Sequence, residues 1–132
     1  MDCIFCKIIK GEIPSYKIYE DEHVYAFLDI ASDYYGHTLV VPKNHSNNFM
    51  DITSEDLGFV MNAVKLIGDH YVTNCGFNGY NIFNNNGTCA EQAVMHTHVH
   101  IIPRLNTDGL KICSTRSSQG YNLEDMHKKL KF

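Results

Sequence analysis

The chain is expected to fold as an α+β domain on a mostly antiparallel sheet, and three features of its order carry that expectation. Two strand-like segments come early and are separated by a turn-forming stretch. One long segment with helical periodicity follows. Further strand-like segments lie beyond it, so strands flank a helix instead of alternating with helices.

The first strand is read at residues 23–29, HVYAFLD, where β-branched and aromatic residues follow the acidic Glu20, Asp21 and Glu22. The second is 36–42, GHTLVVP, ended by Pro42, which cannot donate to a ladder. DYYG at 33–36 has turn chemistry, so the two strands should pair antiparallel. Over residues 54–75, Leu57, Val60, Met61, Val64, Ile67 and Tyr71 recur at helical spacing. Thr53 or Ser54 can cap the start, Glu55 and Asp56 suit the positive end of the helix dipole, and Gly76 suits the far end. YNIFNNNG at 80–87 reads as a strand running into a loop. HTHVHIIP at 96–103 reads as the last strand, stopped by Pro103. Residues 106–120 are polar and loop-like, and NLEDMHKKLKF closes the chain as a short helix capped by Asn122.

A length of 132 residues with 44% hydrophobic and 20% charged side chains fits one packed domain, 1–132. The net charge of −4 argues against non-specific nucleic-acid binding, which needs a basic surface. MDCIFCKIIKGEIP at the start lacks the pattern of a secretion signal. No apolar run approaches the ~20 residues that span a bilayer. Five cysteines in such a chain read as reduced thiols or metal ligands better than as a disulfide framework. The expectation is a cytoplasmic protein with no nucleic-acid and no membrane partner.

The chemistry concentrates in HTHVHII, where three of the eight histidines occupy every second position. In a strand His96, His98 and His100 share one side, about 6.6 Å apart, while Thr97, Val99 and Ile101 face the core. A row of imidazoles offers a nucleophile, proton transfer near neutral pH and donors for an anion. A polar solvent face and a His-x-His metal site are the competing readings. The preceding loop, NNNGTCAEQAV, has the small and amide residues that let backbone N–H groups gather round an anion.

With these residues in place, the chain resembles the histidine triad (HIT) superfamily, on its Hint-like branch and in the bacterial-type zinc-carrying form. The motif His-φ-His-φ-His-φ-φ, with φ apolar, matches HTHVHII, Thr97 being the one non-apolar φ position. CIFCKIIKGEIP, YEDEHVYAFLDI, GHTLVVPKNH, NNNG and HIIPR extend the resemblance over residues 1–104, leaving 105–132 as a variable tail. The resemblance implies a HIT-like fold: five mostly antiparallel strands, one long helix and a homodimer whose sheets join. It implies a purine nucleotide as partner, such as AMP or a nucleoside phosphoramidate, with adenylates and dinucleoside polyphosphates also possible substrates. It implies attack on the α-phosphorus by His98 through a nucleotidyl-histidine, with His100 on the phosphate and His37 supporting. Asp29 falls at the ribose-binding acid. Phe5, Ile8, Phe27, Ile30 and Leu39 fall where the family encloses the base, and Asn85, Gln92 and the Ala93 backbone where it holds phosphate.

Cys3 and Cys6 form a Cys-x-x-Cys, which by spacing alone fits half of a zinc site, two buried thiols or a redox pair. There is no second such pair. In the zinc-carrying relatives the remaining ligands match His45 and His96, which implies a structural Zn2+ held by Cys3, Cys6, His45 and His96. Cys75, Cys89 and Cys113 have no partner at ligand spacing. Two positions depart from the family: Glu91 stands where a small residue, often glycine, precedes the glutamine, and Ala93 replaces a serine or threonine. Both favour the rival reading, a nucleotide-binding regulatory module with little or no turnover.

Overall fold

The structure, a computed structural model, describes residues 2–31, 33–113 and 115–132. Five strands form one antiparallel sheet: β1 Lys17–Glu20, β2 Val24–Leu28, β3 Thr38–Pro42, β4 Gly79–Phe83 and β5 Val99–Arg104, in the order β1-β2-β3-β5-β4. The helices are α1 Ile4–Ile9, α2 Ser54–Cys75 and α3 Leu123–Leu130. No helix among the described residues is long and apolar enough to cross a membrane.

The alternation of side chains gives the sheet two apolar faces. Val24, Ala26, Val40, Val99 and Ile101 point to one side and meet Val60, Ala63, Val64, Ile67 and Tyr71 of α2. Tyr25, Phe27, Leu39 and Val41 point to the other side and meet Cys3, Phe5 and Ile8 on and beside α1. β2 and β3 are buried on both faces, which is why they read as continuous apolar runs. Helix α2 runs between the termini read from the sequence. Thr53 caps it by accepting from the Asp56 N–H, and Gly76 ends it at φ 83°. Gly68 lies where a β carbon would come within 2.3 Å of the Tyr80 ring, so α2 and β4 approach closely there.

Several expectations are corrected. Pro103 does not stop the last strand: β5 continues to Arg104, and Pro103 pairs with Tyr80. Pairing of β5 with β3 ends at Ile101, so at Pro103 only β4 is alongside and the missing N–H breaks no rung. Strand geometry begins at Val99, so His96, in a bend, and His98 lie in the segment just before β5. Thr97, Val99 and Ile101 are nevertheless all buried, as the alternation requires. Helix α1 and strand β1 are too short to leave a periodic signal in the sequence. The tail helix α3 forms with Asn122 as its cap, accepting from the Asp125 N–H.

Candidate active site and metal centre

The chain's hydrogen bonds give each histidine near β5 a separate environment. His98 is 6% exposed, and its Nδ1–H donates to the carbonyl of His96 at 2.6 Å. That bond puts the ring proton on Nδ1 and leaves Nε2 with its lone pair. Burial lowers the His98 pKa, only partly opposed by the His96 carbonyl and by Asp29, so the ring is neutral at pH 7. His100 packs beside it, ring centroids 4.9 Å apart. Burial, with the neighbouring His98 and His37, pushes the His100 pKa down to about 4. Nδ1 of His100 lies 2.9 Å from Nε2 of His37, and Nε2 of His100 is buried with no hydrogen-bond partner among the described residues.

His37 sits at the entry to β3, and its pKa is lowered by burial against the pull of Asp29. Asp29 follows β2. One of its oxygens accepts from the Ala31 N–H at 2.8 Å, and the other stands 3.8 Å from Nδ1 of His37. The residue thus caps a turn and also faces the histidines. Phe5 packs edge-on against both His96 and His98 and against Phe27, in one cluster with Ile8 and Leu39. Four of the five expected base-enclosing residues are therefore brought together. Ile30 is not among them; it stands 87% exposed beyond the strand end.

The loop before the histidines is built around Gln92, which is buried. Its Oε1 accepts from the Gly87 N–H and from Asn48 Nδ2, and its Nε2 donates to the carbonyls of Asn47 and Val94. All four positions of this amide are occupied by the loops it joins. Asn85 is half-buried and its Nδ2 reaches the Glu91 carbonyl only at 3.5 Å. Glu91 is exposed, and Ala93 beside Gln92 is exposed as well.

Two neighbours were not read from the sequence. The Phe83 ring lies parallel to His100, with centroids 4.2 Å apart at 9°. Nδ2 of Asn84 donates to the His98 carbonyl at 2.9 Å. Only the register of β4 against β5, which pairs Phe83 with His100, reveals either contact.

Cys3, Cys6, His45 and His96 converge, with all four ligand atoms within 4.8 Å of one another. Cys3 caps α1, its sulfur accepting from the Cys6 N–H, so one turn of helix turns both thiols the same way. Nδ1 of His96 lies 3.4 Å from the Cys3 sulfur, 3.6 Å from the Cys6 sulfur and 3.1 Å from Nδ1 of His45. A tetrahedral zinc with Zn–S of about 2.3 Å and Zn–N of about 2.0–2.1 Å separates its ligands by about 3.3–3.8 Å. The spacing therefore fits zinc, and so does the tautomer of His96. Its Nε2–H donates to the Pro42 carbonyl at 2.9 Å, which turns an unprotonated Nδ1 towards the thiols. Burial lowers the His96 pKa to about 4, so the ring is neutral, as a ligand must be. Cys75, Cys89 and Cys113 are exposed free thiols away from this cluster.

Comparison with known proteins follows the same lines. The family model for the HIT domain matches residues 10–107. A crystal structure of a HIT family member from Bacillus subtilis superposes with a TM-score of 0.84 at 45% identity, over 98% of this chain and 92% of that one. A zinc-bound histidine triad family protein from Mycobacterium smegmatis gives a TM-score of 0.76 at 37% identity, over 89% and 85% of the two chains. Adenosine 5'-monophosphoramidase hnt1 of Schizosaccharomyces pombe is 42% identical over 108 residues, which is 82% of this chain and 78% of that protein.

Proposed function

The chain belongs to the HIT domain family, and on that premise we propose that it hydrolyses purine nucleoside 5′-phosphoramidates at the α-phosphorus, with His98 as nucleophile. The bond from His98 Nδ1–H to the His96 carbonyl carries this reading, because it holds a neutral imidazole with Nε2 free to attack. In the first step Nε2 bonds to phosphorus while the phosphorus–nitrogen bond to the leaving amine breaks, and the amine departs with a proton taken from solvent. Water then attacks the nucleotidyl-histidine, releasing AMP and restoring Nε2.

His100 serves the phosphate. If His37 Nε2–H donates to His100 Nδ1, the His100 proton sits on the buried, unpartnered Nε2. A buried donor without a partner costs about 1–3 kcal/mol, and a phosphate oxygen removes that cost. Asp29 keeps one oxygen clear of its turn for a ribose hydroxyl, and Phe5, Ile8, Phe27 and Leu39 provide apolar surface for the base. Adenylates and dinucleoside polyphosphates present the same α-phosphorus and extend the substrate range. Cys3, Cys6, His45 and His96 hold zinc in a closed set of four, which supplies a structural tie between the N-terminus and the approach to β5. Thiol ligands need a reducing compartment, which supports a cytoplasmic address. The edge strand β4 is the surface on which a second copy extends the sheet to form a homodimer.

A second reading, nucleotide binding with little turnover, has one observation in its favour: the Gln92 amide is fully occupied within the protein and offers nothing to a phosphate. Incubation with adenosine 5′-monophosphoramidate, followed by 31P NMR, separates the two. The wild type should release AMP, and His98→Asn should abolish release while AMP still raises the melting temperature. AMP stabilisation without turnover in the wild type selects the second reading. Full activity in His98→Asn refutes the mechanism.

A further inference from the structure

The two reacting histidines are held by one end of an edge strand. β4 pairs with β5 up to the rung Phe83–His100, and there the ladder stops. Beyond it the Asn84 side chain takes over from the backbone and donates to the His98 carbonyl at 2.9 Å. Oδ1 of Asn84 accepts from Asn86 Nδ2, and Oδ1 of Asn86 accepts from the Phe49 N–H at 2.8 Å. This chain of amides anchors the end of β4 to the segment that leads into α2. His98 is thereby fixed at two points: its ring through the His96 carbonyl, and its own carbonyl through Asn84.

His100 has a different need. Its ring makes one in-plane hydrogen bond, to His37, and can still tilt about it. Phe83 lies flat against the ring at 4.2 Å and 9°, and also approaches His37 at 6.2 Å. Apolar contact over a whole ring face resists tilt in a way that one hydrogen bond does not. We propose that Phe83 and Asn84 are positioning residues of the active site: Phe83 sets the plane of His100 by stacking, and Asn84 sets the backbone of His98. This rests on the phosphoramidate hydrolysis proposed above.

The test uses full-length protein purified with its metal, as wild type, Phe83→Leu, Phe83→Tyr and Asn84→Ala. Leucine keeps apolar volume without a flat face, and tyrosine keeps the face. With adenosine 5′-monophosphoramidate, Phe83→Leu should lower kcat about tenfold with KM within about twofold of wild type, because misplacement of a reacting group costs rate before affinity. Phe83→Tyr should recover kcat to within about threefold of wild type, and Asn84→Ala should lower kcat with KM little changed. In NMR spectra the His100 ring protons should be shifted upfield by the Phe83 ring in wild type and Phe83→Tyr, and should lose that shift in Phe83→Leu. Sedimentation of each variant separates positioning from assembly through the β4 edge.

Equal kcat in Phe83→Leu and wild type overturns the proposal. So does a Phe83→Tyr variant as slow as Phe83→Leu, or a loss of kcat that follows a change in sedimentation. If Phe83→Leu does not fold, an unshifted His100 in wild type overturns it just as well. A wild type that releases no AMP refutes the functional reading instead, and the ring shift still decides the stacking.

Discussion

Glu91 has φ 69° and ψ 22°, the one non-glycine residue with positive φ among the described residues. In that region a β carbon crowds the following carbonyl, at a cost of roughly 1–2 kcal/mol. Its N–H closes the turn onto the Thr88 carbonyl, so the conformation is required by the loop that carries Gln92. The departure from the family's small residue was visible in the sequence, but its physical meaning was not, since a backbone angle leaves no trace in composition. Exposure of Glu91 leaves its carboxylate free to turn to solvent, away from an anion held at the loop. Glu91→Gly should stabilise the protein by about 1 kcal/mol and raise the melting temperature by about 4 °C. Scanning calorimetry reads this directly, and a lowered melting temperature refutes it. Gln92 carries the opposite lesson. It was expected at the phosphate by position, and its amide proves to be consumed in joining two loops.

At the scale of elements, α2 and β4 come close at Gly68, against the Tyr80 ring, whose hydroxyl donates to Asp69 at 3.1 Å. Gly68→Ala inserts a methyl where a tyrosine already packs, and overpacking of this kind costs about 1–3 kcal/mol. Urea unfolding should show a lower midpoint with an unchanged slope, and an unchanged midpoint refutes the contact. The long helix was readable because it repeats one apolar pattern over 22 residues and carries both caps. β2 and β3 were readable from their apolar runs. The four-residue β1 and six-residue α1 give no period to read, yet α1 positions both cysteines and Phe5. Pro103 misleads because a proline marks a strand end only where an N–H at that position would have a neighbour to serve, and here the strand on that side has already ended. The contacts of Phe83 and Asn84 depend on register across two strands, which no local pattern encodes.

For the molecule as a whole, three buried histidines and the half-buried His100 set the response to acid. His37, His96, His98 and His100 all have lowered pKa values, His96 and His100 at about 4, and burial is the leading cause in each. The unfolded chain takes up protons on these groups near pH 6.5, and the folded chain takes them up only at lower pH. The unfolded state therefore binds more protons in this window, and stability falls as the pH drops from about 7 towards 4. A melting temperature that holds steady or rises between about pH 7 and pH 5 refutes this. The cluster of Cys3, Cys6, His45 and His96 joins the N-terminus and α1 to the approach of β5. Chelation should lower the melting temperature sharply, and added zinc should restore it. Metal analysis alongside the melt checks that the loss and the return follow zinc content. His96 gives the centre a reach beyond stability. Its Nδ1 faces the thiols, its Nε2–H meets Pro42, and its carbonyl orients the His98 ring. On the mechanism proposed above, the same residue links the four-ligand cluster to the aim of the nucleophile. On that reading, specific activity should track how much zinc each batch took up, and activity independent of zinc content refutes the link.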